Sequence, residues 1–279
     1  MTHWIYGRGA VSLAAAEKLH LLERVVEAMG GALRRGGSLG ETSNRATDAA
    51  FACVPAARGG YRAAKEASNL AAAAILPAAA AYVEGGGTRR ERLQRACRVA
   101  ALANVAPLGV PTAPMGFEEL RAFLERGEPA PVEAADAAVL EGARRVVYVA
   151  DNAGEIGLDG LLLRLLRSAG ATVTLVVKEP AFFEDATPDD VRHFALDGEV
   201  DEVLAVDGFL TPAEAPARVR EALAGCDLLV AKGTGSFEAL YGELGGTPGV
   251  FLLKVKCSAI SRALGVPEGR FAVVSVGGL

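Results

Sequence analysis

The second half of the chain alternates short apolar runs with amphipathic segments, and this alternation restricts the fold more than any other feature. The apolar runs are rich in Val and Leu and lie at residues 146–150, 171–177, 202–206, 227–231, 249–255 and 271–276. Segments with helical periodicity separate them at 156–169, 187–196, 212–224, 236–243 and 258–264. Strands that alternate with helices pair in parallel and are covered by helices on both faces. We therefore predict an α/β fold with a doubly wound, mostly parallel α/β/α sandwich of the Rossmann-like type.

The first half of the chain has helical periodicity instead. Ala, Leu, Glu and Arg recur at helix spacing from about residue 10 to 125, with glycine breaks at 30–31, 36–37, 59–60 and 85–87. A stretch with Gly and Pro at 127–131 indicates a linker, and residues 132–142 are predicted to form one more helix. We therefore divide the chain into a helical domain, 1–142, and an α/β metal-binding catalytic domain, 143–279.

Composition narrows the class of protein. Hydrophobic residues make up 51% of the 279 residues, which is typical of a globular protein with a buried core. The formal net charge of −5 favours neither nucleic acid nor an anionic membrane as a partner. The four cysteines lack Cys-x-x-Cys spacing, so neither a zinc site nor a disulfide framework is indicated.

The same composition predicts a soluble cytoplasmic protein. The most apolar stretch, residues 70–83, is interrupted by Pro77 and is too short to span a membrane, so we interpret it as a core helix. The first residues lack the charged-then-apolar pattern of a signal peptide.

Polar side chains of the second half fall just after the predicted strands. They are Asp151 and Asn152, Lys178 and Asp185, Lys232, and Lys256. The carboxyl ends of parallel strands meet at one edge of a sheet, where open α/β sheets bind their ligands. These side chains are therefore expected to converge in one crevice.

Asp151 and Asn152 bring a carboxylate and an amide to the first of these strand ends. Hard divalent cations prefer such oxygen ligands. An Asp or Asn at this junction is also the ordinary helix N-cap, and Glu155 in the first turn suits the helix dipole. The junction alone favours that structural explanation. The whole string Asp-Asn-Ala-Gly-Glu-Ile at 151–156, however, resembles the signature of the damage-control phosphatases, a metal-dependent family.

A stretch after the second of these strands resembles another motif of the same family. Residues 184–187, Glu-Asp-Ala-Thr, are similar to the family's Asn-Asp-Ala-Thr, whose Asp is a metal ligand. Glu184 replaces the Asn and adds a negative charge. Thr187 and Pro188 already explain the start of the next helix, which leaves Asp185 unclaimed as a cap.

In this half of the chain, the remaining resemblance to the family lies where lysines follow predicted strands. The run from Lys232 to Glu238 resembles Lys-Gly-x-Gly-Asn-Phe/Tyr-Glu, with Ser236 in place of Asn. Its Gly-rich turn would expose backbone N–H groups to an anion. Lys254 and Lys256 match Leu-x-Lys-x-Lys-Cys; without the resemblance, an edge strand with solvated lysines explains them equally well.

The helical half contributes three residues to the resemblance. Lys65 and Asn69, at i and i+4 on one helix face, match a Lys-x-x-Ser-Asn pattern that faces the active site in the family. Taken alone, they favour a solvated face. Asn104 precedes a short apolar run and Gly, as in another family motif, and is otherwise a cap or a ligand-facing donor.

The resemblance implies a metal-dependent phosphatase that hydrolyses phosphate monoesters of small metabolites, such as sugar phosphates or damaged phosphometabolites. Asp151, Asn152 and Asp185 would hold one divalent ion, Mn²⁺, Co²⁺, Ni²⁺ or Mg²⁺. Lys232 and Lys256 would bind phosphoryl oxygens, while Asp151 or Glu155 would orient or deprotonate the attacking water.

Substrate binding is assigned to a separate set of residues, namely Lys65, Asn69, Asn104, Glu238 and, less firmly, Lys254. Two other classes stay open. One is an S-adenosylmethionine-dependent carboxyl methyltransferase, in which the phosphate-ready lysines would have no role. The other is a non-catalytic phosphometabolite-binding protein, which would keep the lysines without needing the three oxygen ligands together.

Overall fold

The structure is a computed structural model that describes residues 13–58, 60–104, 117–126, 132–134 and 138–277. Its helices in chain order are α1 (Ala15–Arg34), α2 (Leu39–Cys53), α3 (Arg62–Glu84), α4 (Arg89–Ala103), α5 (Glu118–Arg126), α6 (Ala138–Glu141), α7 (Glu155–Ser168), α8 (Pro188–His193), α9 (Ala217–Gly225), α10 (Gly233–Leu240) and α11 (Ser258–Leu264). The predicted linker at 127–131 lies outside the described residues.

In the described part of the chain, seven strands form one sheet. They are β1 (Val132–Ala134), β2 (Arg145–Val149), β3 (Thr172–Lys178), β4 (Glu202–Val206), β5 (Leu228–Lys232), β6 (Gly249–Lys254) and β7 (Phe271–Val276), in the spatial order β1-β7-β6-β5-β2-β3-β4. All neighbouring strands are parallel except β6 and β7, which are antiparallel. The predicted α/β fold with a mostly parallel sheet is therefore confirmed, and all six predicted strands are present.

The helices cover both faces of this sheet. Along β2, Val146 and Tyr148 point into one hydrophobic cluster, while Val147 and Val149 point into another. The first cluster includes residues of α3, α4 and α7, and the second includes residues of α9, α10 and α11. Burial on both faces explains why these strands are continuously apolar rather than alternating.

The order of the strands places a topological switch point between β2 and β5. From β2 the chain continues through β3 and β4 on one side, and then returns to form β5 and β6 on the other side of β2. Ligands of open α/β sheets bind at the carboxyl ends of strands next to such a point. Asp151 and Lys232 lie at these two strand ends.

The prediction of a helix over residues 132–142 is wrong. Residues 132–134 form β1, which pairs with β7 at the edge of the sheet, and of the residues described in this range those at 138–141 are helical. The local sequence contains Ala and Glu that suit a helix, but pairing with β7 overrides this weak preference.

The two predicted domains share their packing. Beyond the contribution of β1 to the sheet, residues of α3, α4 and α5 lie in the same hydrophobic cluster as residues of β2, α7 and β3. A boundary at residue 142 stays a prediction, and these contacts form one continuous core on that face of the sheet.

One described segment, residues 55–84, is long and apolar enough by composition to count as a candidate membrane span. It contains α3, of which one face is buried in the hydrophobic core through Ala72, Ile75, Ala79 and Val83. This packing agrees with the interpretation of residues 70–83 as a core helix.

A glycine fixes the approach of α3 to the start of α7. Gly154 has a φ of +77°, and a Cβ at this position would lie 2.3 Å from Ser68 Oγ and 2.6 Å from the Ser68 carbonyl oxygen. Gly170 also has a positive φ, +83°, but only the Arg144 guanidinium lies near the position of its Cβ, at 3.7 Å. The two glycines therefore separate backbone strain from a clash.

We expect Gly154→Ala to lower the free energy of unfolding by about 3 kcal/mol, because the strain of a positive φ adds to overlap with Ser68. Gly170→Ala should cost only about 1 kcal/mol, from the strain alone. Urea unfolding of both variants measures the difference. Equal losses would contradict the close packing of α3 on α7.

Candidate active site

The helix that follows β2 is capped by a glycine and not by Asp151 or Asn152. Gly154 is the N-cap of α7, and neither Asp151 nor Asn152 occupies that position. The ordinary explanation for these two residues, helix capping, therefore does not apply. Their side chains are available for other interactions at the end of β2.

Backbone hydrogen bonds join this segment to the one that contains Asp185. The Ala186 N–H donates to the Asp151 carbonyl at 2.7 Å, and the Ala153 N–H donates to the Glu184 carbonyl at 2.8 Å. Between these two bonds, Asn152 and Asp185 form an antiparallel bridge. The three predicted metal ligands are thus brought together at the ends of β2 and β3 by the backbone itself.

The side chain of Asn104, at the end of α4, connects the helical half to this segment. Its Nδ2 donates to Asp151 Oδ2 at 2.7 Å and to Glu155 Oε2 at 3.1 Å. Its Oδ1 accepts the backbone N–H of Lys254 at 3.1 Å. Asn104 is fully buried, and all of these contacts are within the protein. It therefore positions two carboxylates instead of facing a ligand.

Glu155 is the centre of the buried network. Asn152 Nδ2 donates to its Oε1 at 2.7 Å, which turns the amide oxygen of Asn152 away from Glu155. Lys232 Nζ lies 3.2 Å from Oε2, and the Glu155 residue is only 1% exposed. Burial raises the pKa of Glu155 to about 7, Lys232 opposes this shift, and Asp151 adds to it.

The prediction that Lys232 binds phosphate does not fit its contacts. Its ammonium donates to the Ala100 carbonyl at 2.6 Å and to Asp159 Oδ1 at 2.9 Å, in addition to the contact with Glu155. An ammonium group has three protons, and Lys232 is fully buried. All three donors are therefore used inside the protein. Lys232 holds the two carboxylates of α7 in place.

Asp185 carries more negative charge around it than positive. Burial raises the pKa of Asp185 well above its usual range, Lys178 lowers it, and the carboxylates of Asp151, Glu184 and Glu155 raise it further. Its closest cation, Lys178 Nζ, is 4.0 Å from Oδ2. A cation beside Asp185 would relieve this repulsion.

Asp151, Glu155, Glu184 and Asp185 are called the acidic cluster below. A cavity of about 890 Å³ opens next to it. Its lining includes Lys65, Asn69, Lys178, Thr187 and Asp190. Lys178 lies between the cavity and the acidic cluster, because it lines the cavity and also contacts Asp185. The acidic residues of the cluster are not among those that line the cavity, so Lys178 is the direct connection between the two among the described residues.

Lys65 and Asn69, the predicted substrate-binding residues of α3, line this cavity, but both side chains are held by other residues of the protein. Lys65 Nζ contacts Asp190 Oδ2 at 2.8 Å and donates to Thr187 Oγ1 at 3.1 Å. Asn69 Nδ2 donates to Asp190 Oδ1 at 2.8 Å, and Asn69 Oδ1 accepts the Gly154 N–H at 2.6 Å. These bonds fix α3 to the starts of α7 and α8.

The last three predicted residues lie towards β6. Lys254 is buried with Nζ 4.9 Å from the centre of the Phe271 ring, and burial lowers its pKa. Lys256 is half-buried beyond the end of β6. Glu238 is an exposed residue of α10. Partial burial of its carboxyl group raises its pKa, and the nearby Lys256 lowers it. The structure gives none of these three a direct contact with Asp151, Asn152 or Asp185 among the described residues.

The oxygen donors at the ends of β2 and β3 fit a hard divalent cation. Carboxylates of Asp151 and Asp185 and the amide oxygen of Asn152 are the donor types that such ions prefer. Asp151 is only partly buried, which leaves an approach from solvent. No group of three or more His, Cys, Asp or Glu at metal-binding spacing occurs in the described part of the chain. The amide of Asn152 is therefore needed to complete a set of three.

Sequence analysis missed two buried acids. Asp159 is one helical turn after Glu155 on the apolar helix α7, and this i,i+4 pair of acids was an available signal. Asp190 accepts the N–H and hydroxyl of Thr187, at 2.8 and 2.7 Å, in a capping arrangement that the Thr-x-x-Asp spacing announces.

Fold and site together define an α/β protein with an acidic crevice at its topological switch point. Comparison with known proteins gives the family. The model of the damage-control phosphatase ARMT1-like domain matches residues 42–271. A damage-control phosphatase of Archaeoglobus fulgidus is 33% identical over 216 residues, which cover 75% of this chain and 73% of that protein. The chain belongs to the damage-control phosphatase ARMT1-like family.

Two further matches concern one protein of Pyrococcus horikoshii. Damage-control phosphatase PH1575 is 34% identical over 131 residues, which cover 46% of this chain and 45% of that protein. The crystal structure of PH1575, described as a DUF89 family protein, superimposes with a TM-score of 0.71 at 20% identity. That superposition covers 94% of this chain and 91% of the other, and it shows that the fold is shared.

Replacement of Lys232 tests whether it is a structural cation. We expect Lys232→Met to lower the free energy of unfolding by about 3–5 kcal/mol, because Glu155 and Asp159 would stay buried without their cation. Lys256→Met is the matched control, since Lys256 is half-buried, and should cost less than about 1 kcal/mol. Chemical denaturation measures both. Unchanged stability of Lys232→Met would restore Lys232 as a candidate phosphate ligand.

Proposed function

We propose that this protein is a metal-dependent phosphatase that hydrolyses phosphate monoesters of small metabolites, including damaged phosphometabolites and sugar phosphates. The observation that carries the proposal is the backbone link between residues 151–153 and 184–186, which gathers two carboxylates and an amide beside an excess of buried negative charge. Relatives named as damage-control phosphatases support the reaction class.

In this proposal Asp151, Asn152 and Asp185 hold one divalent ion, Mn²⁺, Co²⁺, Ni²⁺ or Mg²⁺. Such an ion, when bound, acts as a Lewis acid on a phosphoryl oxygen and offsets the charge of the transition state. The protein keeps the three ligands oriented through bonds that do not depend on the ion. Asn104 holds Asp151, Glu155 holds Asn152, and the backbone bridge holds Asp185 opposite Asn152.

Exposure separates the two candidates for the group that orients or deprotonates water. Asp151 is partly exposed, while Glu155 is 1% exposed and its oxygens contact Asn104, Asn152 and Lys232. A base must reach the water whose proton it takes, so these contacts favour Asp151. Glu155 then acts through Asn152 and Lys232 as a positioning residue.

Lys178 replaces Lys232 as the preferred partner for the phosphoryl group. It is at the end of β3 and lines the cavity, although it is only 2% exposed. Its ammonium differs from that of Lys232 because the contacts found among the described residues are longer, 4.0 Å to Asp185 Oδ2 and 5.9 Å to the Phe209 ring, which leaves its donors available to an anion. Burial lowers the pKa of Lys178, while Asp185 and Asp151 raise it, so an added anion would favour its charged form. Lys256 is kept as a second candidate, because it follows β6, the strand next to β5, at the same edge of the sheet.

The rest of the substrate would occupy the cavity. A volume of about 890 Å³ is in the range of small-molecule sites. Tyr61, Phe183 and His193 supply flat rings to its wall, and Lys65 and Asp190 supply polar groups. This mixture suits a metabolite that carries hydroxyl groups. The location we propose for the protein is the cytoplasm.

The alternatives have less support. Family membership does not favour a carboxyl methyltransferase, and such an enzyme would give no role to an acidic set joined by the backbone. A non-catalytic binding protein would need Lys178 and the cavity, but not the three oxygen ligands. Metal-dependent release of phosphate distinguishes all three classes.

We expect EDTA to abolish hydrolysis of an aryl phosphate, and Mn²⁺, Co²⁺, Ni²⁺ or Mg²⁺ to restore it. Asp185→Ala should lose at least about a hundredfold in turnover together with bound metal, because removal of a carboxylate ligand leaves two oxygens. Asp197→Ala is the control: Asp197 is an exposed acid that is not among the residues lining the cavity. Phosphate release and elemental analysis give the two readouts. Full activity in EDTA, or metal retained by Asp185→Ala, would contradict the proposed site.

A further inference from the structure

One face of α1 exposes a regular row of large apolar side chains. The row consists of Leu19, Leu22, Val26, Met29 and Leu33, which are between 39% and 62% exposed. Monomeric soluble proteins rarely expose contiguous apolar surface of this kind without a function. An adjacent face of α1, about 100° around the helix, is already covered: Leu21 and Val25 pack on α2 in a hydrophobic cluster, and Ala32 on the same face is buried.

The spacing of this row is that of a coiled-coil seam. Its members follow one another at intervals of three, four, three and four residues, so they occupy alternating a and d positions of a heptad. The seam runs from Leu19 to Leu33, which is about 21 Å along the helix axis. A helix that only covers its own domain needs one apolar face, and α1 has two.

We propose that the exposed seam of α1 binds the same seam of a second copy of this chain, as a parallel two-stranded coiled coil around a two-fold axis. Such a contact is isologous, so the surface must complement itself. The seam meets this requirement because all five side chains are uncharged. Val26 at a central a position, flanked by Leu22 at d, suits a two-stranded parallel arrangement.

The charges beside the seam favour the parallel direction. Lys18 is at a g position and Glu23 is at the following e position. In a parallel pair these positions lie opposite each other, so Lys18 of each copy would face Glu23 of the partner subunit on both sides of the axis.

The area of the seam is enough for a weak pair. The exposed parts of the five side chains amount to roughly 500 Å² per copy, hence roughly 1,000 Å² for two, which is near the smallest area that specific interfaces bury. The helix is already folded on α2, so pairing does not require it to form. The dimer is therefore expected to dissociate at accessible dilution.

The test is the oligomeric state of the full chain across a dilution series, measured by light scattering and sedimentation. The wild type should have twice the mass of one chain at high micromolar concentration. Val26→Glu should raise the dissociation constant at least about tenfold, since it places two carboxylates together in the seam. The control is Leu70→Glu, which puts the same charge on a leucine of α3 that is 67% exposed, and it should stay dimeric.

A mixing experiment identifies the occupant. Val26→Glu and Val26→Lys should each be weakened alone and should form a mixed pair when combined, because the new charges then oppose each other across the axis. Circular dichroism and phosphatase turnover of the variants serve as controls for folding. A monomeric wild type, a dimer that Val26→Glu leaves unchanged, or charge variants that do not recover on mixing would overturn the proposal. If the seam is instead occupied by residues 1–12, the wild type would be monomeric, which is the first of these results.

Discussion

The site depends on one buried ammonium group. Lys232 is fully buried at the end of β5 and is surrounded by Glu155, Asp159 and the carbonyl of Ala100. Two buried carboxylates on one apolar helix would be very unfavourable without a cation between them. Because Lys232 offsets them, α7 can bring Glu155 under the ends of β2 and β3. Glu155 in turn holds Asn152, one of the three proposed ligands.

That single cation does not neutralise the whole cluster. Asp151, Glu155, Asp159, Glu184 and Asp185 are near one another, whereas Lys232 and Lys178 are the two lysines that face them among the described residues. Burial raises the pKa of Asp185 most, and the carboxylates of Asp151, Glu184 and Glu155 add to this rise. A divalent ion at the partly exposed Asp151 would restore the balance where a phosphoryl group can approach. The electrostatics that cost stability in the isolated protein are thus those that favour binding of a metal.

The fold makes this arrangement possible through two features. The switch point places the ends of β2 and β5 side by side, so Asp151 and Lys232 come from strands that are far apart in sequence. Close packing at glycine then allows the side chains to meet. Gly233, with a φ of +81°, follows Lys232 directly, and a Cβ there would lie 2.0 Å from Asp151 Oδ2. The start of α10 can therefore approach the carboxylate, which the helix dipole stabilises.

Much of the fold could be predicted from the sequence, and less of the site. Apolar runs bounded by turns located six strands, because strands buried on both faces leave a strong local signal. The short strand β1 has no such signal, since its pairing with β7 depends on residues almost 140 positions away. In the site, motifs indicated which residues matter, but not what each one contacts. Lys232 and Asn104 match family motifs, yet their neighbours Asp159, Glu155 and Ala100 are only known from the packing of α4 and α7 against the sheet.

The central claim is that the oxygens of Asp151, Asn152 and Asp185 hold one divalent ion. Anomalous diffraction from crystals of the protein grown with Mn²⁺ tests it most directly, because it locates the ion without reference to activity. The account predicts a single anomalous peak per chain, in contact with these three side chains. A peak bound elsewhere, or a protein that binds no Mn²⁺ at this position, would contradict it.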